Sequence, residues 1–174
     1  AIYRNSWIAG CMMLAATIGV AVPNFVLASL AVLLFVFIWP LFPAGGWGEL
    51  QHLILPALTL AARPLGRISQ VVRSAMLDEL SKPYIAAARA KGVPEWRVVF
   101  VHALKNASIP IVTITGDELS QLLTGAMLVE TVFAWPGIGR LMFESLAARD
   151  YNTILGVFIV SAAMVILFLI VTDI

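Results

Sequence analysis

The chain has 174 residues, of which 61% are hydrophobic and only 12% are charged. Soluble domains carry about a quarter charged residues, so this composition excludes an ordinary soluble domain and predicts an all-α, polytopic membrane protein. The formal net charge of +1 gives no indication of nucleic-acid binding, and the single cysteine, Cys11, cannot form an internal disulfide.

The first apolar run, residues 7–39, is too long for one straight span. As one helix it would measure roughly 50 Å, against about 30 Å of hydrocarbon core. Pro23 should kink or break this helix, so we expect one net crossing, with part of the run tilted or interfacial. Residues 40–49 then lie outside, because they contain no Lys or Arg, and Trp39 and Trp47 suit a membrane interface.

Three further crossings are predicted, giving four in all: residues 51–77 inward, 107–129 outward and 152–172 inward. Residues 130–150 between the last two should form an outer segment, which is rich in turn residues. Positive charge sets this orientation, because loops rich in Lys and Arg stay in the cytoplasm. The loop 78–106 and its borders carry eight such residues: Arg63, Arg67, Arg73, Lys82, Arg89, Lys91, Arg97 and Lys105.

Residues 84–107 form a basic amphipathic segment within this cytoplasmic loop. Gly92 accepts a positive φ and Pro94 suits the first turn of a helix, so the pattern predicts helix, tight turn, helix. A basic loop is often only a determinant of topology. Charge does not explain the run Ala86-Ala87-Ala88. Small side chains on a helix let the surface of another protein approach closely, and Tyr84 and Trp96 would supply aromatic anchors for such a contact.

A polar stripe follows one face of the third crossing. Its members are Thr113, Asp117, Ser120, Gln121 and Thr124, and Glu118 widens it. Ionisable residues at membrane depth are costly and mark a pathway or a buried pair. Polar residues also serve helix–helix interfaces, so a translocation path and a packing interface stay equal interpretations.

The sequence contains no motif for catalysis, nucleotide binding or metal binding, so we predict no enzyme activity, cofactor or metal site on this chain. An intramembrane enzyme would have only Asp117 and Glu118 as a polar pair, with no nucleophile beside them. A secondary transporter would usually contain an internal repeat, and none is visible.

Two motifs carry a resemblance to a known family. The cytoplasmic segment resembles the coupling loop of ABC-transporter permeases, particularly those of binding-protein-dependent peptide and nickel importers. Ala87, Ala88, Gly92 and Leu104 match that loop, while Ala86, His102 and Lys105 replace its usual Glu, Ile and Pro. The second motif is the run 129–139, VETVFAWPGIG, followed by Arg149-Asp150-Tyr151.

The resemblance implies a type I permease core in a bacterial or archaeal plasma membrane, here as one domain over residues 1–174 without the family's first helices and final tail. It implies a second permease, two ATPase subunits that hold ATP and Mg²⁺, an extracytoplasmic binding protein and the lipid bilayer as partners. The substrate would be a peptide first, and a nickel chelate or another small solute as the alternative.

The resemblance also assigns residues to two surfaces. The ATPase-docking surface would include Tyr84, Ala86, Ala87, Ala88, Arg89, Gly92, Pro94 and Trp96. The outer mouth of the pathway would include Glu130, Trp135, Pro136 and Gly137, for which an ordinary interfacial turn is the alternative interpretation.

Opposite charges on the second and third crossings overlap in depth. Arg63 lies about 18 Å along its run, and Asp117 and Glu118 lie roughly 15 Å along the next antiparallel helix. Because unpaired charge in hydrocarbon is costly, we predict that Arg63 or Arg67 faces one of these carboxylates, within the chain or across a permease pair. Alternatively, the arginines reach the headgroups and the carboxylates line a path for a cationic substrate.

Overall fold

The computed structural model describes residues 7–173, and the side chains in that range other than those of residues 8, 9, 123–125 and 171–173. This part of the chain is helical and contains no strand, which confirms the all-α fold class. Its nine α-helices are α1 (Trp7–Ala21), α2 (Asn24–Val32), α3 (Leu50–Leu80), α4 (Pro83–Ala90), α5 (Glu95–Arg97), α6 (Leu104–Gly125), α7 (Met127–Val132), α8 (Ile138–Ala148) and α9 (Tyr151–Asp173). π-helical turns at Leu33–Ile38 and Val98–Ala103 extend α2 and join α5 to α6.

Two of the described helices are long and apolar enough to cross a bilayer, Glu95–Leu122 and Tyr151–Ile170. Gly10–Ala21 and Asn24–Ile38 form a third candidate if they count as one span, although they meet at 106°. This bend confirms the predicted break at Pro23, which removes a backbone donor. The predicted crossing by α3 stays a prediction, because its arginines and prolines lower its hydropathy below that of the other spans.

α1 lies against α3 with the two backbones in close contact. A Cβ added at Gly66 would overlap the carbonyl oxygen of Ala16, and one added at Gly19 would lie 2.6 Å from the carbonyl oxygen of Ala62. The pairing of residue 16 with 66 and of 19 with 62 makes the two helices antiparallel. Small residues at such contacts increase van der Waals packing between membrane helices, where the hydrophobic effect gives little help.

Two buried clusters lie at opposite ends of α3. Near its end, Met76 packs with Ile85, Val98 and Ala103 of the cytoplasmic segment. Near its start, Leu55 belongs to a second cluster, whose other buried members are Ala28, Val129 and Phe133. The 31 residues of α3 span about 46 Å, so each cluster closes one end of the molecule.

The two segments predicted to be external lie together. The backbone N–H of Gly46 donates to the carbonyl of Phe133 at 2.9 Å. Helix α8 occupies half of the segment 130–150, and non-glycine residues with a positive φ occur in it at Ala134, 50°, and Arg149, 57°.

Candidate functional site

The cytoplasmic segment has the predicted order of helix, turn and helix. α4 begins at Pro83, Gly92 adopts φ +78°, and α5 begins after Pro94. A bidentate ion pair spans the turn, with Arg89 Nη2 donating to Glu95 Oε1 at 2.6 Å and Arg89 Nε to Oε2 at 3.1 Å. This exposed ion pair links the last turn of α4 to the first residue of α5 across the turn.

α4 has one face on the protein and one face free within this chain. Ile85 is fully buried among the cytoplasmic cluster, and Ala88 packs half-buried against that cluster. Ala86 and Ala87 are exposed on the opposite face. Of the three alanines predicted to allow a close approach, Ala88 therefore supports the internal packing, and the other two remain available to a partner.

A hydrogen-bonded network connects the start of α4 to the last turn of α3 and the first turn of α6. Glu79 on α3 accepts from Lys82 and, at 2.6 Å, from the hydroxyl of Tyr84, which in turn accepts from Asn106 Nδ2 at 2.9 Å. The bonds from Lys82 and Tyr84 lower the pKa of Glu79, and the carboxylate raises the pKa of the Tyr84 phenol. The hydroxyl of Tyr84, predicted to be a partner contact, is thus engaged within the chain.

The exposed part of the segment combines a basic and an aromatic surface. Trp96 is 58% exposed, and the guanidinium of Arg97 lies 5.2 Å from the centre of its ring. The other predicted docking residues that are exposed are Tyr84, Ala86, Ala87, Arg89, Gly92 and Pro94. This surface of small side chains beside one large aromatic suits a groove on a partner.

The predicted polar stripe on α6 does not form one continuous lining. Thr113 is exposed, whereas Ser120 and Glu118 are buried. Gln121 Nε2 donates to Asp117 Oδ2 at 3.0 Å, so these two side chains form a hydrogen bond with each other one turn apart on α6. The side chain of Thr124 lies outside the described residues. The stripe thus divides into an exposed part and a part that packs towards α3.

The predicted pairing of opposite charges is present within the chain. Arg67 Nε lies 3.4 Å from Glu118 Oε1, which confirms the prediction for the second arginine and the second carboxylate. The Glu118 side chain is only 2% exposed, whereas that of Arg67 is 41% exposed. Glu118 Oε1 has no hydrogen bond in the described part of the chain, so the contact is a charge pair without hydrogen-bond alignment.

Arg63 has no ion pair among the described residues and instead lines a cavity of about 580 Å³. The cavity lies where α1 ends and α2 begins, and it is closed by α3 and α6. We call it the break cavity. Glu118 and Asn24 also line it, each with one buried oxygen that has no hydrogen bond within the described residues.

Glu130 has a structural function that the sequence reasoning missed. Its Oε2 accepts the backbone N–H of Arg140 at 2.8 Å, in the first turn of α8, where a carboxylate is favoured by the helix dipole. Gly137 is required beside it, because an added Cβ would overlap the Glu130 carboxylate. Trp135 is half-buried, and its backbone N–H donates to the backbone carbonyl of Glu130 at 2.8 Å. The predicted role of Pro136 and these residues at an outer mouth stays a prediction.

Comparison with known proteins gives a match over the whole chain. Residues 1–174 match the family described as binding-protein-dependent transport system inner membrane component. The dipeptide transport system permease protein DppB of Bacillus subtilis (strain 168) is 36% identical over 99% of this chain and 56% of its own length. DppB of Lactococcus lactis subsp. cremoris (strain MG1363) is 39% identical over 98% of this chain and 56% of its own length.

The oligopeptide transport system permease protein AppB of Bacillus subtilis (strain 168) is 37% identical over 90% of this chain and 53% of its own length. The chain therefore spans about half the length of these curated relatives.

The charge pair between α3 and α6 predicts a coupled loss of stability. Arg67→Gln should destabilise the folded protein by about 1–3 kcal/mol, less than for a fully buried pair because Arg67 is partly exposed. Glu118→Gln should also destabilise it, and the double variant should recover part of the loss. Thermal unfolding of the purified protein measures all three. Arg73→Gln is the matched control, since Arg73 has no ion pair in the described part of the molecule. Additive losses in the double variant would contradict the pairing.

The Glu79 network predicts a pH-dependent contribution to stability. Because the pKa of Glu79 is lowered from its ordinary value of 4.5, the stabilisation is complete above that value and is lost as the pH falls through the lowered pKa. Glu79→Gln should therefore lower the Tm at neutral pH, and the difference from wild type should shrink in acid. Glu144→Gln, which removes an exposed ion pair, should change the Tm little. A Glu79→Gln difference that stays constant on acidification would refute the charged network.

Proposed function

Because the chain belongs to the family of binding-protein-dependent transport system inner membrane components, we propose that it forms the transmembrane permease subunit of an ATP-driven ABC importer. The observation that carries the proposal is the cytoplasmic segment. It is a short helix with an exposed alanine face, fastened to two long helices by a buried cluster and a side-chain network. Such a unit suits the transfer of a movement between a partner and the membrane helices.

In this proposal the partner on the cytoplasmic side is a pair of ATPase subunits, which hold ATP and Mg²⁺. The exposed face of α4 and Trp96 dock in a groove on the ATPase. Closure of the ATPases displaces α4, and the contacts of Ile85 and Tyr84 pass the displacement to α3 and α6. Rigid fastening supports this role, because a helix held by only one contact would move without its neighbours.

The remaining partners are a second permease subunit and an extracytoplasmic binding protein. Exposed apolar side chains cover much of α9 and the outer helix α8, and they suit lipid or a second membrane subunit. The outer loops, held together by the bond between Gly46 and Phe133, offer a surface for delivery of substrate. Solute would then pass between the two permeases of the bacterial inner membrane by alternating access.

We propose short peptides as the substrate class. The relatives described above are named as permeases of dipeptide or oligopeptide transport systems. A nickel chelate, the alternative expected from the sequence, has less support because none of those names refers to a metal.

The docking role of the cytoplasmic segment predicts loss of coupling in two variants. Gly92→Pro forces a negative φ where the turn needs +78°, and Ala87→Trp places a bulky side chain on the exposed face of α4. Each should lower ATP-dependent uptake at least tenfold, which corresponds to a loss of about 1.4 kcal/mol in the coupling free energy, while the permease remains inserted. Uptake and substrate-stimulated ATPase activity of the reconstituted transporter measure the effect.

Gly48→Pro is the matched control for the turn variant. Gly48 also has a positive φ, +119°, with open space around its Cβ position, but it lies in the outer loop. It should leave coupling near the wild-type level. Normal uptake and normal ATPase stimulation in both Gly92→Pro and Ala87→Trp would exclude this surface as the docking site.

A further inference from the structure

The break cavity differs in composition from the rest of the membrane-embedded surface. Most of its lining is apolar and comes from the end of α1, from α2 and from Leu122 and Leu128. Four polar side chains line it, those of Asn24, Arg63, Glu118 and Gln121. Binding sites for small solutes typically have this character, with a volume of about 300–1,000 Å³ and few, well-placed polar groups.

Two of these polar groups are acceptors that lack a donor. Asn24 Oδ1 and Glu118 Oε1 are both buried, and neither has a hydrogen bond within the described part of the chain. Glu118 is 98% buried as a side chain, since only 2% of it is exposed. Buried acceptors are nearly always satisfied in proteins, so this pair offers two acceptor atoms to a donor that enters the cavity.

The guanidinium of Arg63 is a donor with a positive charge, and it suits an acceptor. Arg63 is exposed, lines the same cavity, and forms no ion pair with the described residues. Arg67 lies 3.4 Å from Glu118, and Asp117 accepts from Gln121, so Arg63 is the charged group of the lining that has no ion pair among the described residues. An anionic group in the cavity would therefore be stabilised by Arg63.

The helix break adds partial charges of both signs. The last turn of α1, with its free carbonyls, ends at the cavity, and the nine-residue α2 begins there with free N–H groups. The carbonyl end of a helix favours a cation and the amino end an anion. Discontinuous membrane helices form binding sites in other transporters by the same physical arrangement.

We propose that the break cavity binds a zwitterionic solute, a short peptide with free termini, during transport. The ammonium group donates to Glu118 and Asn24 beside the end of α1. The carboxylate accepts from Arg63 and from the start of α2. The apolar lining accommodates the side chains of the peptide. This inference rests on the proposed peptide import and adds to it a site within one permease subunit.

The test compares two probes in proteoliposomes that contain the complete transporter with its ATPases and binding protein. The probes are radiolabelled dialanine and its C-terminal amide, which keeps the ammonium group but lacks the carboxylate. Arg63→Gln should reduce uptake of dialanine about tenfold relative to wild type, because a charge-assisted hydrogen bond is lost. Uptake of the amide should stay unchanged, so the ratio between the two probes falls.

Arg73→Gln is the matched control, since Arg73 lies on the same helix outside the cavity, and it should leave the ratio as in wild type. Because every variant uses the same binding protein, a changed ratio reports on the permease. Normal wild-type uptake with an unchanged ratio in Arg63→Gln would overturn the site alone. Absence of peptide uptake by the wild type would instead contradict the proposed function.

A second measurement leaves Arg63 in place, in case its substitution prevents folding. Val22 lines the cavity, so Val22→Cys in a Cys11→Ala background gives a single reactive thiol there. During turnover with ATP, dialanine should slow modification of this thiol, and its amide should slow it much less. Equal modification rates with and without dialanine would overturn the proposal.

Discussion

The contact between α3 and α6 holds the described structure together. Their antiparallel packing includes the Arg67–Glu118 pair, and the cluster around Ile85 and Val98 closes one end. A carboxylate buried in an apolar environment is stable only with a counter-charge, so this pair fixes the register of the two helices. The segment 84–107, proposed to dock on the ATPases, connects these same helices, and its position therefore depends on that register.

The same constraint links the cytoplasmic surface to the break cavity. Tyr84 and Ile85 attach α4 to both helices, and Glu118 contributes to the pair with Arg67 and to the lining of the cavity. A displacement of α4 that shifts α3 along α6 would change the distance between these charges. In the proposed transport cycle, the cavity would thereby change its affinity for a charged solute when the ATPases close.

The outer half of the molecule is held by a different kind of contact. Glu130 caps α8 from the preceding helix, and Gly137 supplies the space for its carboxylate. These bonds need no buried ion pair, since Glu130 is partly exposed and accepts from a backbone N–H. The Glu130 cap thus adds a local contact to the long-range contacts that Phe133 makes with Gly46, Ala28 and Leu55.

Several features were predictable because local sequence determines them. Pro23 removes a backbone donor within a long apolar run, and Gly92 with Pro94 specifies a turn, so both were predicted and confirmed. The two sequence motifs predicted the family, which the match over the whole chain confirms. The pairing of Arg67 with Glu118 followed from depth and charge alone, but depth could not decide between Arg63 and Arg67.

Other features required the tertiary structure. Whether Ala86, Ala87 or Ala88 faces the interior depends on how α4 rotates onto the cytoplasmic cluster, and alanines give no periodic signal. The helix α8 was not predicted, because the turn residues Pro136 and Gly137 dominate the pattern before it. The break cavity could not be predicted, since it joins residues of α1, α2, α3 and α6 that only packing brings together.

The most direct test of the central claim is the sidedness of the chain. Single cysteines, Ser81→Cys between α3 and α4 and Ala44→Cys in the loop 40–49, are placed at exposed positions in a Cys11→Ala background. An impermeant thiol reagent on intact cells should label the protein with Ala44→Cys and not the protein with Ser81→Cys, and inverted vesicles should give the opposite pattern. Labelling of Ser81→Cys but not of Ala44→Cys on intact cells would contradict the account.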